Sequence, residues 1–275
     1  MQVQNVMVYT GIHLNISDGT DAILKQIDEL QIDSFQIFLE SPLSWTPMKG
    51  LYRFESLIER ARNDFGVKTV FVHSPYLVHL ASPKASVRTK SWKKLKEDLS
   101  LASDLGIDGY VAHLDMQHPE QELVFLEEYS RYLSMISSNI PLLLENVAAA
   151  KFVGADPYFV LDVARQASIS YPAAVCLDTA HLAAAGFDIL QILEDKRFYE
   201  LALRIRVVHL NDLKTPIGSS RDVHENLGDG SIGYGPLKKM VRAQNDGTSI
   251  ILETPQDKPD NNRKNIAVLK KMLVE

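Results

Sequence analysis

Eight short apolar runs recur along the chain, and stretches with helical spacing fill the gaps between them. The runs are Val6–Leu14, Ser34–Leu39, Lys68–Val72, Gly109–His113, Pro141–Glu145, Ala174–Asp178, Arg206–Leu210 and Ser249–Glu253. Most are continuous β-branched or apolar stretches, the pattern of parallel strands buried on both faces. Between them, Ile23, Leu24, Ile27 and Leu30 mark a helix, with Ser17, Asp18 and Thr20 as candidate caps. Trp92, Leu95, Leu99, Ala102 and Leu105 mark another, closed by Gly106. Leu126, Leu133 and Ile136 mark a third, and Ile266, Leu269 and Met272 the last. Strands alternating with helices in this number predict an α/β protein, a closed (β/α)8 TIM barrel forming one domain over residues 1–275. An open doubly wound sheet is the competing architecture. The segment TGIHLNISDG after the first strand lacks the glycine pattern of a dinucleotide turn.

Composition narrows the function classes. With 275 residues, 45% of them apolar, the chain is long enough for one large core. A net charge of −6 excludes a uniformly basic nucleic-acid glove, so any DNA contact is local. Cys176 is the one cysteine, so no intrachain disulfide forms and a reducing compartment fits. Cys176 reads as a core side chain of the sixth strand. No leader pattern opens the sequence, and no apolar run nears the ~20 residues that span a bilayer. The expectation is a soluble, cytoplasmic monomer with no membrane partner.

The placement of His, Asp and Glu is the most informative pattern. His73 follows the third strand, His113 ends the fourth, and Glu145 ends the fifth. Asp178 ends the sixth with His181 three residues on, and His209 ends the seventh. Asp222 and His224 lie in the long loop after it, and Glu253 ends the eighth. In a barrel the carboxyl ends of all strands meet at one face, where active sites sit. Singly, each residue has a plain structural reading: a helix cap or ion pair for a carboxylate, a hydrogen-bonded core residue for a histidine. Together, four carboxylates and five histidines in one mouth desolvate and repel one another unless cations balance them. Imidazole with carboxylate favours zinc, with manganese or iron as alternatives, and no thiolate is available. Asp222 and His224 are spaced i,i+2, so an extended segment turns both to one side. Nine ligands are too many for one ion and suit two or three.

The segments HSPYLVHLASP, LLLENVAAA, CLDTAHLAAAGFDI, HLNDLKTPIGSSRDVHENLGDGSIG and ILETP occur in this order. In order and spacing the chain resembles the endonuclease IV family of abasic-site nucleases over most of its length. The resemblance implies a zinc-dependent endonuclease that hydrolyses the phosphodiester 5′ to abasic sites in duplex DNA and leaves a 3′-hydroxyl. It implies three zincs per chain. His73, His113 and Glu145 hold one. Glu145, as a bridge, joins Asp178, His209 and Glu253 on the second. His181, Asp222 and His224 hold the third. Glu145 and Glu253 are read as the catalytic carboxylates. Three divalent ions over-neutralise four carboxylates and make a mouth suited to a phosphodiester anion. An abasic nucleotide is also cheap to extrude, because no base is unpaired. By the same resemblance, Tyr76 and Leu77 enter the duplex at the lesion.

The DNA-facing loops depart from the family pattern. After the second strand the chain reads Ser41-Pro42-Leu43-Ser44-Trp45, with Leu43 where the family carries an arginine and Glu40 beside it. Leu43 still serves as a candidate DNA contact. Val223 stands between two ligands where the family often has a basic residue. A basic run of Lys84, Arg88, Lys90, Lys93, Lys94 and Lys96 is read as a phosphate contact. His13, His79 and His118 are read as satisfied polar residues. Two other functions compete. A single-metal sugar isomerase or epimerase needs only Glu145, Asp178, His209 and Glu253. A zinc-loaded lesion binder that has lost cleavage is motivated by the altered loops.

Overall fold

The computed structural model describes residues 7–43, 45, 52–258 and 260–275. Eight parallel strands close a barrel in chain order: β1 (Tyr9–His13), β2 (Ser34–Phe38), β3 (Thr69–His73), β4 (Gly109–His113), β5 (Leu142–Glu145), β6 (Ala173–Asp178), β7 (Ile205–His209) and β10 (Ser249–Leu252), which pairs back onto β1. A two-stranded antiparallel hairpin, β8 (Asp212–Leu213) with β9 (His224–Glu225), interrupts the series after β7. The strands begin and end within a few residues of the apolar runs. Val6, part of the first run, and Ser44 lie outside the described residues. The ring of strands is tight at β1, where a Cβ on Gly11 would stand 2.2 Å from Ser34 O, so only glycine fits between the paired strands.

The outer helices are α1 (Thr20–Leu30), α2 (Tyr52–Phe65), α3 (Ala85–Asp104), α4 (Gln121–Leu133), α5 (Pro157–Ala167), α6 (Thr179–Ala185), α7 (Ile189–Glu194), α8 (Phe198–Ala202), α9 (Tyr234–Arg242) and α10 (Asn261–Val274). The periodic residues of α1 and α10 are buried as their spacing requires, and so are those of α3 except Leu105, which caps the helix and is partly buried. Two local expectations fail. The cap of α1 is Gly19, at φ 87°, while Ser17 and Asp18 belong to a separate 3-10 turn capped by Asn15. Ser17 is held by Asn15 within that turn, Asp18 accepts from Gln26 of the helix, and Thr20 is already its first residue, so glycine forms the entry. In α4 the buried face is Phe125, Tyr129 and Leu133, with Leu126 only partly buried and Ile136 beyond the helix end. No helix among the described residues is long and apolar enough to cross a membrane.

The barrel interior is layered. At the amino ends of the strands Thr69 Oγ1 lies 2.8 Å from the hydroxyls of both Ser34 and Ser249. Above it Phe71, Val111, Leu143, Ala174, Cys176, Val207 and Ile251 form an apolar plug. Cys176 is thus a core side chain, and burial pushes its thiol up to about 12. The polar groups that follow along the strands have no route through this plug and gather at the carboxyl ends. At that mouth His73, His113, Glu145, Asp178 and His209 end five consecutive strands, β3 to β7.

Candidate metal centre

Glu145, fully buried at the end of β5, is the hub. Its Oε2 lies 3.1 Å from His73 Nε2 and 3.2 Å from His113 Nε2. Its Oε1 lies 2.8 Å from His209 Nδ1 and 3.6 Å from His181 Nδ1. The two oxygens therefore face different histidines, Oε2 toward His73 and His113 and Oε1 toward His209, as a bridging carboxylate would. His209 Nδ1 also stands 3.5 Å from Glu253 Oε2 and 3.9 Å from Asp178 Oδ2. At the rim, Asp222 reaches His181 Nε2 at 3.1 Å with one oxygen and His224 Nε2 at 3.0 Å with the other. All nine predicted residues thus converge on one continuous cluster. Tight subsets within it are His73, Glu145 and His209; His113, Glu145 and His181; Asp178, His181 and His224; and Asp178, His209 and Glu253. Asp178 thus faces both neighbouring sets.

The imidazoles are held as ligands are held. His73 Nδ1 donates to Ser74 O at 2.7 Å, His181 Nδ1 to Asn146 O at 2.8 Å and His224 Nδ1 to Glu253 O at 2.9 Å. His209 Nε2 donates to Gln36 Oε1 at 3.0 Å. In each ring one nitrogen is committed to a carbonyl, so the other, facing the carboxylates, is the one that offers a lone pair to a cation. His224 Nε2 is buried and makes no well-formed hydrogen bond although Asp222 is beside it. This donor set of imidazole and carboxylate fits a divalent metal.

The charges lead to the same requirement. Burial works against the ionised form of Glu145, yet His209 and His113 outweigh it and hold the carboxyl well below its usual range. Burial brings His113 down to about 4. Burial also opposes the charged form of His224, but Asp222 and Asp178 lift it to about 9. His181 is driven up the same way, against burial, by Asp178 and Asp222. Burial raises Asp178. The buried carboxylates thus favour positive charge on His181, His209 and His224, the part a divalent cation would take.

Local folding explains the placements. Asp178, a candidate ligand, is also the cap of α6, so the plain structural reading and the chemical one are compatible. Asn146 grips the Asp178 main chain through both ends of its amide, at 2.8 and 3.1 Å. Asn211 donates to Asp178 Oδ2 at 2.8 Å and accepts the Glu253 N–H at 2.9 Å, tying β7 to β10. Asp212 accepts main-chain N–H groups from Leu213, Gly228, Gly230, Ile232 and Gly233, which pins the loop that follows β9. A Cβ on Gly230 would meet Asp212 Oδ1 at 2.5 Å, so that close approach requires glycine. Sequence reasoning missed Gln36, Asn146 and Asn211. Asn146 and Asn211 each lie within two residues of a candidate ligand, a signal that was available.

The rim differs from expectation in its charges. Tyr76 is 53% exposed and Leu43 is 74% exposed, and Leu77 is half-buried. Tyr76 N donates to Pro42 O at 3.0 Å, which joins the loops after β3 and β2. These loops border a cavity of about 560 Å³ lined by His13, Phe38, Pro42, Tyr76, His224 and Glu253. The basic run does not act as one patch. Lys94 is buried against Glu40 and Asp98, and Arg88 is half-buried 3.3 Å from Glu128. Lys90 sits 4.1 Å over the Trp45 ring, and Lys84, Lys93 and Lys96 are exposed. Glu40 is likewise buried and shares Lys94 with Asp98, so it is not an exposed charge beside Leu43. His79 is paired with Asp115 at 2.7 Å.

The family described as xylose isomerase-like TIM barrel matches residues 24–272. A protein of Natranaerobius thermophilus named "Probable endonuclease 4" is 30% identical over 277 residues, 96% of this chain and 97% of its own. Its counterpart of the same name in Methanosphaerula palustris is 32% identical over 286 residues, 98% of this chain and 99% of its own. Endonuclease IV from Thermus thermophilus superposes with a TM-score of 0.79 at 31% identity, covering 96% of this chain and 98% of that one.

Proposed function

This chain belongs to the endonuclease IV family of xylose isomerase-like TIM barrels, and on that premise we propose that it hydrolyses the phosphodiester 5′ to abasic sites in duplex DNA, leaving a 3′-hydroxyl. The observation that carries the reading is the arrangement around Glu145, where imidazoles anchored on carbonyls face carboxylates across one mouth. We assign three zinc ions per chain. His73, His113 and Glu145 would hold one, Glu145 with Asp178, His209 and Glu253 a second, and His181, Asp222 and His224 the third. Zinc supplies positive charge for a phosphodiester anion and lowers the pKa of coordinated water to roughly 7.

The chain's own groups then divide the work. Glu145 and Glu253 are the catalytic carboxylates, Glu145 because one of its oxygens faces His73 and His113 and the other faces His209. Asp178 and Asn211 fix the inner wall. Asp222, whose side chain is 41% exposed, closes the outer one where substrate enters. Tyr76, Leu77 and Leu43 form the apolar rim against which duplex DNA would rest, and the cavity beneath them receives the extruded sugar-phosphate. A single-metal isomerase would use Glu145, Asp178, His209 and Glu253 and leave the other five ligands idle.

The test is incubation of the protein with a duplex bearing one abasic analogue, with and without chelator. The expected product is a 5′ cut whose 3′ end a polymerase extends, lost with chelator and restored by zinc. A β-elimination end would overturn the hydrolytic assignment. Duplex binding without scission in metal-replete protein would leave a lesion binder instead.

A further inference from the structure

Strands β1 and β2 contribute none of the nine candidate ligands, yet they send His13 and Gln36 into the same mouth as cross-strand partners. Gln36 is fully buried. Its Oε1 accepts from His209 Nε2 at 3.0 Å. Its Nε2 donates to Glu253 Oε1 at 2.7 Å and lies 2.9 Å from His13 Nδ1.

The orientation of this amide is decided by its neighbours. Reversed, its oxygen would face the Glu253 carboxylate oxygen at 2.7 Å, acceptor against acceptor. Glu253 therefore turns the amide, and the amide oxygen claims the proton on His209 Nε2. That leaves His209 Nδ1 as the nitrogen facing Glu145, Asp178 and Glu253. Gln36 also occupies one oxygen of Glu253 and leaves Oε2 toward His209. His73, His181 and His224 obtain the same control from main-chain carbonyls, which no substitution removes. His209 obtains it from a side chain.

We propose that Gln36 is a positioning residue: it fixes the His209 tautomer and the Glu253 carboxylate for the ion shared by Asp178, His209 and Glu253. This rests on the metal-centre reading given above. An outer hydrogen-bond partner of a metal ligand is worth ~10–100-fold in metal affinity.

The experiment compares wild-type protein with Gln36→Met and Gln36→Asn. Met keeps the volume without the amide, and Asn keeps the amide one methylene too short to reach. Stripped proteins are titrated with zinc against a competing chelator. The zinc-loaded, imidazole-¹⁵N-labelled proteins are then examined for the His209 Nε2–H signal, with thermal melts as a check on folding. The expected result is a 10–100-fold loss of affinity for one ion with the others unchanged, and loss of the slowly exchanging His209 Nε2–H signal, in both variants. Wild-type affinity for every ion in a folded variant overturns the role of Gln36. If Gln36→Met does not fold, Gln36→Asn decides alone. Failure of the wild-type protein to bind zinc overturns the metal centre itself, and with it this inference.

Discussion

Asp178 Oδ1 accepts the main-chain N–H of His181 at 2.6 Å, so one carboxylate both starts α6 and faces the cluster. The two duties separate by substitution. Asp178→Asn keeps an acceptor for the cap and loses the charge, so it is expected to melt near wild type while binding about one zinc fewer. Asp178→Ala loses both and is expected to be less stable than Asp178→Asn by about 1 kcal/mol, the usual worth of a cap. Calorimetry and metal analysis on the same samples check both. Equal metal content in wild type and Asp178→Asn would remove Asp178 from the ligand set.

Glu145 gives a sharper outcome because one of its oxygens faces His73 and His113 and the other His209. Glu145→Ala is expected to lower cleavage of abasic duplex by at least about 100-fold, beyond what an outer partner of a ligand is worth. Far-ultraviolet circular dichroism should stay unchanged, since the barrel strands pair through main chain. Activity above a few per cent of wild type would exclude Glu145 as a bridge.

Lys94 is 5% exposed, between Glu40 at 3% and Asp98 at 2%, and Tyr110 donates to Asp98 Oδ2 at 2.9 Å. One cation thus serves two buried carboxylates. Lys94→Met strands both and is expected to cost about 3–5 kcal/mol. Glu40→Gln leaves a balanced Lys94–Asp98 pair and is expected to be tolerated. Burial raises the Glu40 and Asp98 carboxyls above their ordinary values, with their mutual repulsion adding at Glu40. The folded chain therefore holds these protons more tightly than the unfolded one, so their contribution to stability falls as pH rises from about 4 through the raised values. Glu40→Gln should gain on wild type as pH rises from about 4 to 7. Denaturant unfolding of both proteins at several pH values checks this. A constant difference would mean that Glu40 titrates normally.

The strand ends and six of the candidate ligands were legible in the sequence because barrel closure leaves a strand-end residue no choice of face, whereas His181, Asp222 and His224 stood out only by their spacing from a strand end or from each other. Gln36 was not, because its role comes from the β1–β2 register and from Glu253, more than two hundred residues away. In SFQIF it reads as one polar interruption of a strand. Lys94 was misjudged as part of a basic run. The signal was present, since it shares a four-residue spacing with Asp98 on the face that buries Trp92, Leu95 and Leu99. The cap of α1 escaped because a glycine with positive φ displaced the usual polar candidates.

The rim tests lesion recognition. Swinging a lesion into the mouth vacates a place in the base stack, and an apolar wedge fills it. Tyr76 is tied down by its main chain to Pro42 O, while its ring meets Phe38 edge-on at 5.8 Å and remains 53% exposed. Because the loop junction uses the backbone, Tyr76→Ala removes a ring without cutting that link. Stacking on a base is worth ~1–3 kcal/mol, so the variant is expected to bind abasic duplex about tenfold more weakly or worse. Its melting temperature should stay near wild type. Leu43 is 74% exposed on the neighbouring loop and carries no charge. Leu43→Arg adds a planar cation able to grip a phosphate. It is expected to tighten duplex binding and steepen the fall of affinity with salt, since each phosphate contact releases counterions. Binding isotherms over a salt series, run beside thermal melts on both variants, separate contact from packing. A Tyr76→Ala protein that melts lower yet binds duplex with unchanged affinity would show the ring to be a packing element, and the wedge would have to be sought in Leu77.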